Sequence, residues 1–116
     1  DQVVICDRHF LKFVDYRTGA LLREVAGPDE EHLFLDVAVV ENDKIIVCAE
    51  DQLSIFSYEG VFQANIGSSG DQLLQFNKPA SVMVRGDEVV VCEQNNSRLQ
   101  VISGLISSSM TKSAAR

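Results

Sequence analysis

The chain has 116 residues, 46% of them apolar, and its formal net charge is −7. This length suffices for one small domain with its own core, and this apolar content argues against disorder over most of the chain. No apolar run approaches the ~18 residues that a membrane-spanning helix needs. The excess of acids argues against generic binding to the phosphate backbone of nucleic acids, which requires Lys and Arg in excess.

The first predicted unit covers residues 1–27. Its opening segment, DQVVICDRHF, has neither an initiator Met nor the basic and then apolar layout of a signal peptide. It has the character of a strand in the middle of a fold, so we expect the chain to be a piece of a longer protein. The predicted strands of this unit are QVVICD (2–7), LKFVD from Leu11 and ALLREV (20–25), with a turn at Gly19.

Two further units follow, at 28–67 and 68–106. The second contains DVAVV (36–40), KIIVCA (44–49), LSIFS from Leu53 and VFQANI (61–66). The third contains SVMVR (81–85), EVVVCE (88–93) and LQVIS from Leu99. The runs that contain cysteine are continuous and β-branched, which is typical of strands covered on both faces. Turn residues connect the strands and no segment has a sustained helical period, so the sequence predicts an all-β fold.

The cysteines show that the three units repeat one pattern. Cys6, Cys48 and Cys92 come into register at spacings of 42 and 44 residues, each followed by a polar turn and a second strand. A period in the low forties with four strands per unit is typical of a β-propeller blade. The first unit lacks its innermost strand, which leaves about two and a half blades against the ~4–8 of a closed ring.

One copy of the repeat resembles a known family. Residues 75–102, with QFNKPASVMV followed by VVVCEQNNSRLQVI, resemble the NHL repeat of six-bladed propellers in tripartite-motif ubiquitin ligases and their relatives. The unit at 36–66 matches less well and has EDQ in place of the NNxR step, and 2–25 matches weakly. The resemblance implies an NHL-type β-propeller segment of four-stranded antiparallel blades. This incomplete ring would be part of a larger ring or would close by self-association, and the Ser-rich tail 107–116 is expected to be flexible.

The cysteines are expected to be buried, reduced thiols. No CxxC motif or Cys/His cluster is present, so the sequence gives no support for a zinc site. Equivalent strands of adjacent sheets lie roughly 10 Å apart, which is too far for a disulfide. Free buried thiols favour a reducing compartment, and we expect a cytoplasmic location.

The residue inventory does not favour an enzyme. No GxSxG motif occurs, and His9 and His32 are too few for a three-histidine metal site. The cluster DEE (29–31) is expected to be a solvated loop, because a calcium site needs several oxygen ligands in a set order. GSSG (67–70) and RGD (85–87) are expected to be turns. The sequence therefore predicts no catalytic residue, no cofactor and no metal.

Alternate connections of an antiparallel blade lie at opposite ends, so several loops are expected to share one surface. We expect a partner-binding face at Arg8, His9, Asp29, Glu30, Glu31, Glu50, Asp51, Asn95, Asn96 and Arg98, with Asp7, His32, Asp71, Lys78, Glu93 and Gln94 beside them. Eight acids against three bases give this set a charge near −5, and Phe76 is the one aromatic residue expected there. For Asn95, Asn96 and Arg98 two roles remain open, namely hydrogen bonds that tie adjacent blades and direct contact with a ligand.

These features favour a non-catalytic module that binds a protein partner. By resemblance, the parent would be a ubiquitin ligase of the tripartite-motif type, in which the propeller selects substrates; the ligase activity would lie outside this chain. One alternative is an NHL propeller that binds single-stranded RNA, which an acidic surface poor in aromatic residues disfavours. The other is an enzyme related to the amidating lyases, which the missing His-rich metal site disfavours.

Overall fold

The computed structural model describes residues 2–29, 33–40, 43–104 and 114–115, and in these ranges the chain forms strands and turns. Three antiparallel sheets contain all but two short strands. The first sheet has the order β1 (Gln2–Asp7), β2 (Phe10–Asp15) and β3 (Leu21–Ala26). The all-β class predicted from the sequence is confirmed.

The second and third sheets have four strands each. The second contains β4 (Asp36–Val40), β5 (Lys44–Cys48), β6 (Leu53–Ser57) and β7 (Phe62–Ile66). The connection to the third sheet includes β8 (Ser68–Ser69) and β9 (Gln75–Phe76), which pair in parallel. The third sheet contains β10 (Pro79–Arg85), β11 (Glu88–Glu93), β12 (Arg98–Ser103) and β13 (Ala114–Ala115). In each sheet, strands that follow one another along the chain are hydrogen-bonded neighbours.

The turns follow from their local sequences. Asp15 ends β2, and one of its carboxylate oxygens accepts hydrogen bonds from the N–H groups of Arg17 and Thr18, at 2.8 and 2.9 Å. Gly86 supplies the positive φ, 59°, of the two-residue turn between β10 and β11. The RGD tripeptide is therefore a hairpin turn, as expected. Residues 114–115, which the sequence placed in a flexible tail, instead form β13 against Ile102 and Ser103.

The sheets stack in chain order, and two apolar cores fill the spaces between them. Leu11 and Phe13 of the first sheet pack with Ile45, Val47 and Phe56 of the second. On its opposite side the second sheet packs against the third, through the cluster Ile46, Cys48, Leu53, Ile55, Phe76, Val82, Val89, Val91 and Ile102. Within the described residues, the second sheet is therefore covered on both faces, whereas the first and third are each covered on one.

This stacking corrects the expectation that all three thiols are buried. Cys6 is partly buried and packs against the core between the first and second sheets. Cys48 is fully buried in the core between the second and third sheets. Cys92 has the same orientation in the third sheet but is exposed, because no sheet in the described structure follows it. Burial raises the pKa of the Cys48 thiol, with smaller contributions from Asp36 and the other two cysteines. That thiol is consequently held in its protonated, unreactive form.

Candidate functional site

Three turns and two connections lie together at one end of the sheet stack, which we call the loop-bearing end. The turns are Arg8–His9, Ala49–Gln52 and Gln94–Ser97, and the connections are the described residues that precede β4 and residues 67–78. Each turn joins two antiparallel strands at the same end of its sheet. The connections return the chain to this end before the next sheet begins.

Hydrogen bonds join these segments into one continuous surface. The Phe34 N–H donates to the Arg8 carbonyl, which links the first turn to the connection that follows. The Lys78 N–H donates to the Glu50 carbonyl at 2.9 Å, and the Lys78 carbonyl accepts from the Gln94 N–H at 3.2 Å. Lys78 thereby bridges the second and third turns. The structure thus places the turns that contain Arg8, Glu50 and Asn95 at one end of the sheet stack.

The first turn borders a cavity of about 320 Å³. Its lining residues are His9, Phe10, Ala26, Gly27, Pro28 and Asp29. The Nδ1 atom of His9 is buried and has no hydrogen-bond partner among the described residues. Gly27 is required here, because a Cβ at this position would lie 2.7 Å from the Phe34 ring. Apolar residues and glycine therefore line the cavity together with two residues that have titratable side chains, His9 and Asp29.

The second turn presents an exposed carboxylate. Glu50 is exposed, and one of its carboxylate oxygens accepts a hydrogen bond from the Leu33 N–H at 3.3 Å. Asp51 is partly buried next to it. Because the Glu50 side chain is exposed, its carboxylate remains accessible to a partner.

The third turn is built on a buried carboxylate. The Glu93 side chain is fully buried, and its two oxygens accept hydrogen bonds from Arg98 Nε at 2.7 Å, Asn96 Nδ2 at 2.8 Å and Gln100 Nε2 at 2.8 Å. The backbone N–H of Asn77 adds a fourth, at 3.2 Å. These hydrogen bonds replace those that the carboxylate would make with water, and so offset the cost of burying its charge.

The same cluster fixes the connection in front of the third sheet. The guanidinium of Arg98 also donates to the carbonyl oxygens of Asp71, Gln72 and Gln75. Gln100 donates to the Gln75 carbonyl at 2.8 Å and accepts from the Leu74 N–H at 3.0 Å. These bonds hold residues 70–77 against the turn, where Leu74 has a positive φ of 59°.

The electrostatics of Glu93 follow from these contacts. Burial alone raises the pKa of this carboxyl group, but the hydrogen bonds from Arg98, Gln100, Asn96 and the Asn77 N–H outweigh burial, and the net result is a lowered pKa. Glu93 is therefore ionised at neutral pH and forms an internal ion pair with Arg98. Neither residue adds an unpaired charge to the surface.

The structure separates the two roles left open for the polar residues of the third turn. Asn96 and Arg98 are partly buried and are used in the hydrogen bonds that tie the turn to the preceding connection. Asn95 is exposed, and its amide donates to the Asn77 side chain at 3.1 Å. Arg98 and Asn96 thus have the structural role, while Asn95 and Gln94 remain on the surface.

Two expected members of the face, Phe76 and Asp7, are placed differently from expectation, and three others are not described. Glu30, Glu31 and His32 lie outside the described residues. Phe76 is fully buried in the core between the second and third sheets and is no surface aromatic. Asp7 forms an ion pair with Lys12 at 3.0 Å on the outer side of the first sheet. The exposed carboxylates of the described loop-bearing end include Glu50 and Asp71, and its exposed cations include Arg8 and Lys78.

The sequence-based set omitted Gln100 and Asp36. Gln100 occupies an inward position of β12, where alternation with Ile102 could have indicated a polar residue in need of partners. Asp36 accepts a hydrogen bond from the Val82 N–H at 2.9 Å and so ties the second sheet to the third. Within the described ranges, no group of three or more His, Cys, Asp or Glu residues could hold a metal ion. No helix in these ranges is long and apolar enough to cross a membrane.

Comparisons with known proteins show that the fold of this chain resembles that of a solved structure. No family model matches the chain, and no curated protein matches it in sequence. Among solved structures, the chain is similar to a protein of unknown function from Bacteroides caccae, with a TM-score of 0.58 and 11% sequence identity. The match covers 88% of this chain and 36% of that protein. The chain therefore spans about a third of the length of this structural neighbour.

Proposed function

We propose that this chain is a segment of an NHL-type β-propeller, without catalytic activity of its own, and that its loop-bearing end recruits a protein partner. By the resemblance of residues 75–102, the parent protein is of the tripartite-motif ubiquitin-ligase type, and this surface takes part in substrate selection. The unpaired state of all three cysteines suits a cytoplasmic protein.

The observation that carries the proposal is the contrast between a rigid base and an accessible surface at the loop-bearing end. The Glu93 cluster and the Lys78 bridge fix the backbone of the loops. Glu50, Asn95 and Gln94 are exposed on that fixed backbone. Pre-organised loops that present polar groups bind partners without a large loss of conformational entropy.

The charge and aromatic content of this end favour a protein over RNA. Single-stranded RNA is bound by a basic groove with exposed aromatic rings on which bases stack. Among the described residues of this end, Phe34 and Phe76 are buried and Phe10 is 39% exposed, so the end presents one ring and no series of rings for stacking; its accessible carboxylates are not outnumbered by cations. A partner with a basic or neutral polar surface is complementary to this end.

A selection from a displayed peptide library tests the proposal. We expect Glu50→Lys to weaken the selected peptides at least tenfold, because it reverses an exposed charge in the middle of the loop-bearing end. The matched control is Glu59→Lys, an exposed position in the β6–β7 turn at the opposite end, which should bind them as the wild type does.

Two results would contradict the proposal. Peptides that lose affinity for the Glu59→Lys variant and keep it for Glu50→Lys would place the binding surface at the other end. Sequence-selective binding to a randomised single-stranded RNA pool, with Kd well below roughly 10⁻⁶ M at physiological salt, would replace the protein partner with RNA.

A further inference from the structure

Residues with a left-handed backbone differ between the two ends of the sheet stack. At the opposite end, the turns that follow β2, β6 and β10 have glycine at these positions, with a positive φ at Gly19, Gly60 and Gly86. At the loop-bearing end, residues with side chains also adopt a positive φ, and among the described residues they are Arg8, Leu74, Lys78 and Ser97. Glycine adopts this conformation without steric cost, because it has no Cβ. The four side chains are therefore kept against a conformational preference.

Two hairpin turns of equal length show this difference directly. Arg8, with φ of 50°, is the first residue of the two-residue turn between β1 and β2, as Gly86 is in the turn between β10 and β11. Glycine is favoured at this position when φ is positive. The Arg8 carbonyl accepts a hydrogen bond from the Phe34 N–H, and glycine would provide the same carbonyl. Its guanidinium is exposed and forms no ion pair within the described residues, so the fold gives the side chain no partner.

Lys78 is in a still less favourable setting. It has φ of 54° and precedes Pro79, and proline biases the residue before it toward extended conformations. Its N–H donates to the Glu50 carbonyl and its carbonyl accepts from the Gln94 N–H, with backbone groups that glycine also has. The ammonium group is exposed and is not ion-paired in the part of the chain that the structure describes. Strained residues of this kind are concentrated at functional sites.

The other two left-handed side chains have a different character. Leu74 is partly buried and packs against the core between the second and third sheets, so its side chain is explained by packing. Ser97 is exposed and uncharged. Arg8 and Lys78 are thus the two left-handed positions at which an exposed charge is kept without a contact in the fold that requires it.

Backbone contacts place Arg8, Glu50 and Lys78 in one row along the loop-bearing end. The Phe34 N–H donates to the Arg8 carbonyl, and the neighbouring Leu33 N–H donates to the Glu50 carboxylate at 3.3 Å. On the other side, the Lys78 N–H donates to the Glu50 carbonyl at 2.9 Å. All three side chains of the row are exposed. The row therefore presents a cation, an anion and a second cation in that order.

We propose that this row determines the specificity of the loop-bearing end, and that it binds a partner segment in which a basic residue is flanked by acidic residues. This inference rests on the proposed function. The basic residue of the segment lies opposite Glu50, and its acidic residues lie opposite Arg8 and Lys78. Complementary charges of this kind fix the register of a bound segment. Arg8 and Lys78 give up no ion pair with a described residue when they bind the segment.

Glycine substitution separates binding from folding at these positions. Arg8→Gly and Lys78→Gly remove one charge each and relieve the left-handed strain, so both variants should retain the melting temperature of the wild type. Both should bind the peptides selected from the displayed library at least about fivefold more weakly, because one cation of the row is lost. Ser97→Gly is the matched control, since this residue is exposed and uncharged and has φ of 50°. It should retain both the melting temperature and the affinity.

The selected peptides provide a second readout. Relative to the unselected library, their sequences should be enriched in a basic residue with an acidic residue on either side. Alanine in place of one acidic residue should weaken binding to the wild type. It should also abolish the difference between the wild type and one of the two glycine variants, since the lost carboxylate and the lost cation form one contact.

The outcomes distinguish this inference from the proposed function. Peptides that depend on Glu50 but bind both glycine variants as they bind the wild type overturn the inference and leave the proposed function in place. A fall in melting temperature that Arg8→Gly or Lys78→Gly shows and Ser97→Gly does not would assign the side chain to the stability of its turn, and also overturns the inference. A library that yields no peptide dependent on Glu50 overturns both.

Discussion

The second and third sheets contain nearly the same strand and differ in what surrounds it. In β5 the four residues Ile45–Cys48 are all fully buried. In β11, Val89 and Val91 are fully buried, Val90 is partly exposed and Cys92 is exposed. Both strands are continuous apolar runs, so the difference comes from the number of sheets packed against them. A continuous apolar run therefore indicates that a strand can be buried on both faces. Whether both faces are buried depends on the neighbouring sheets.

The ends of the same two strands differ in a second way. Ala49, directly after β5, is fully buried in the apolar core, whereas the corresponding residue of the third sheet is Glu93, the last residue of β11. Ser54 of β6 donates to Asn65 within its own sheet at 2.8 Å, whereas the corresponding Gln100 contacts the preceding connection. The third sheet thus uses polar side chains to organise a neighbouring loop, where the second sheet uses apolar packing.

The largest expected effect on stability concerns Ile46 of β5 and Val90 of β11, which occupy equivalent positions in the two strands. Ile46→Ala should lower the free energy of unfolding by about 2–5 kcal/mol, because it leaves a cavity between two sheets. Val90→Ala should cost less than about 1 kcal/mol, because the side chain is already partly exposed. Urea unfolding of both variants measures the difference. Equal losses would contradict the difference in burial between these two positions.

The polar cluster should give the next largest effect. Arg98→Ala removes a donor from the buried Glu93 carboxylate and should cost about 1.5–3 kcal/mol, the range for hydrogen bonds to charged groups. Gln52→Ala, at the corresponding position of the second sheet, should change stability by no more than about 0.5 kcal/mol. Hydrogen exchange at the Leu74 and Gln75 amides should accelerate in Arg98→Ala alone. Unchanged exchange would mean that the connection is held by other contacts.

The contribution of Glu93 to the stability of the third turn should depend on pH. Its pKa is lowered in the folded protein, so its contribution to stability is present above the unfolded value of about 4.3 and is lost as pH falls through the folded value. The stability difference between wild type and Glu93→Gln should therefore narrow in acid. Denaturation from pH 7 to pH 3 measures this change, with Glu59→Gln as the control at an exposed carboxylate. A constant difference across this range would contradict the lowered pKa.

The difference in burial between the second and third sheets can also be tested in the unaltered protein, through the reactivity of Cys48 and Cys92. In dilute native protein, an alkylating reagent should modify Cys92 rapidly, because this thiol is exposed. Cys48 should react at least about a thousandfold more slowly, since its reaction requires opening of the packed sheets. Mass spectrometry of timed samples resolves the two sites. Equal rates would contradict the difference in burial between the second and third sheets.

The sequence by itself determined strands β1–β7 and β10–β12, their hairpin turns and the register between repeats, but it did not predict β8, β9 or β13. These features depend on neighbouring residues: β-branched runs favour strands, Gly86 permits the tight turn, and the period of the cysteines aligns the units. For Arg98 the sequence left two roles open, namely hydrogen bonds that tie adjacent units and direct contact with a ligand.

Only the tertiary structure decided which groups lie inside. Phe76 belongs to a connection and is nevertheless fully buried, because the second and third sheets close around it. Glu93 and Gln100 are buried as partners of a loop that is more than fifteen residues away along the chain. Cys48 and Cys92 end similar apolar runs, IIVC and VVVC, and have opposite exposure. Burial depends on contacts between segments distant in sequence, and those contacts are set by how the sheets stack.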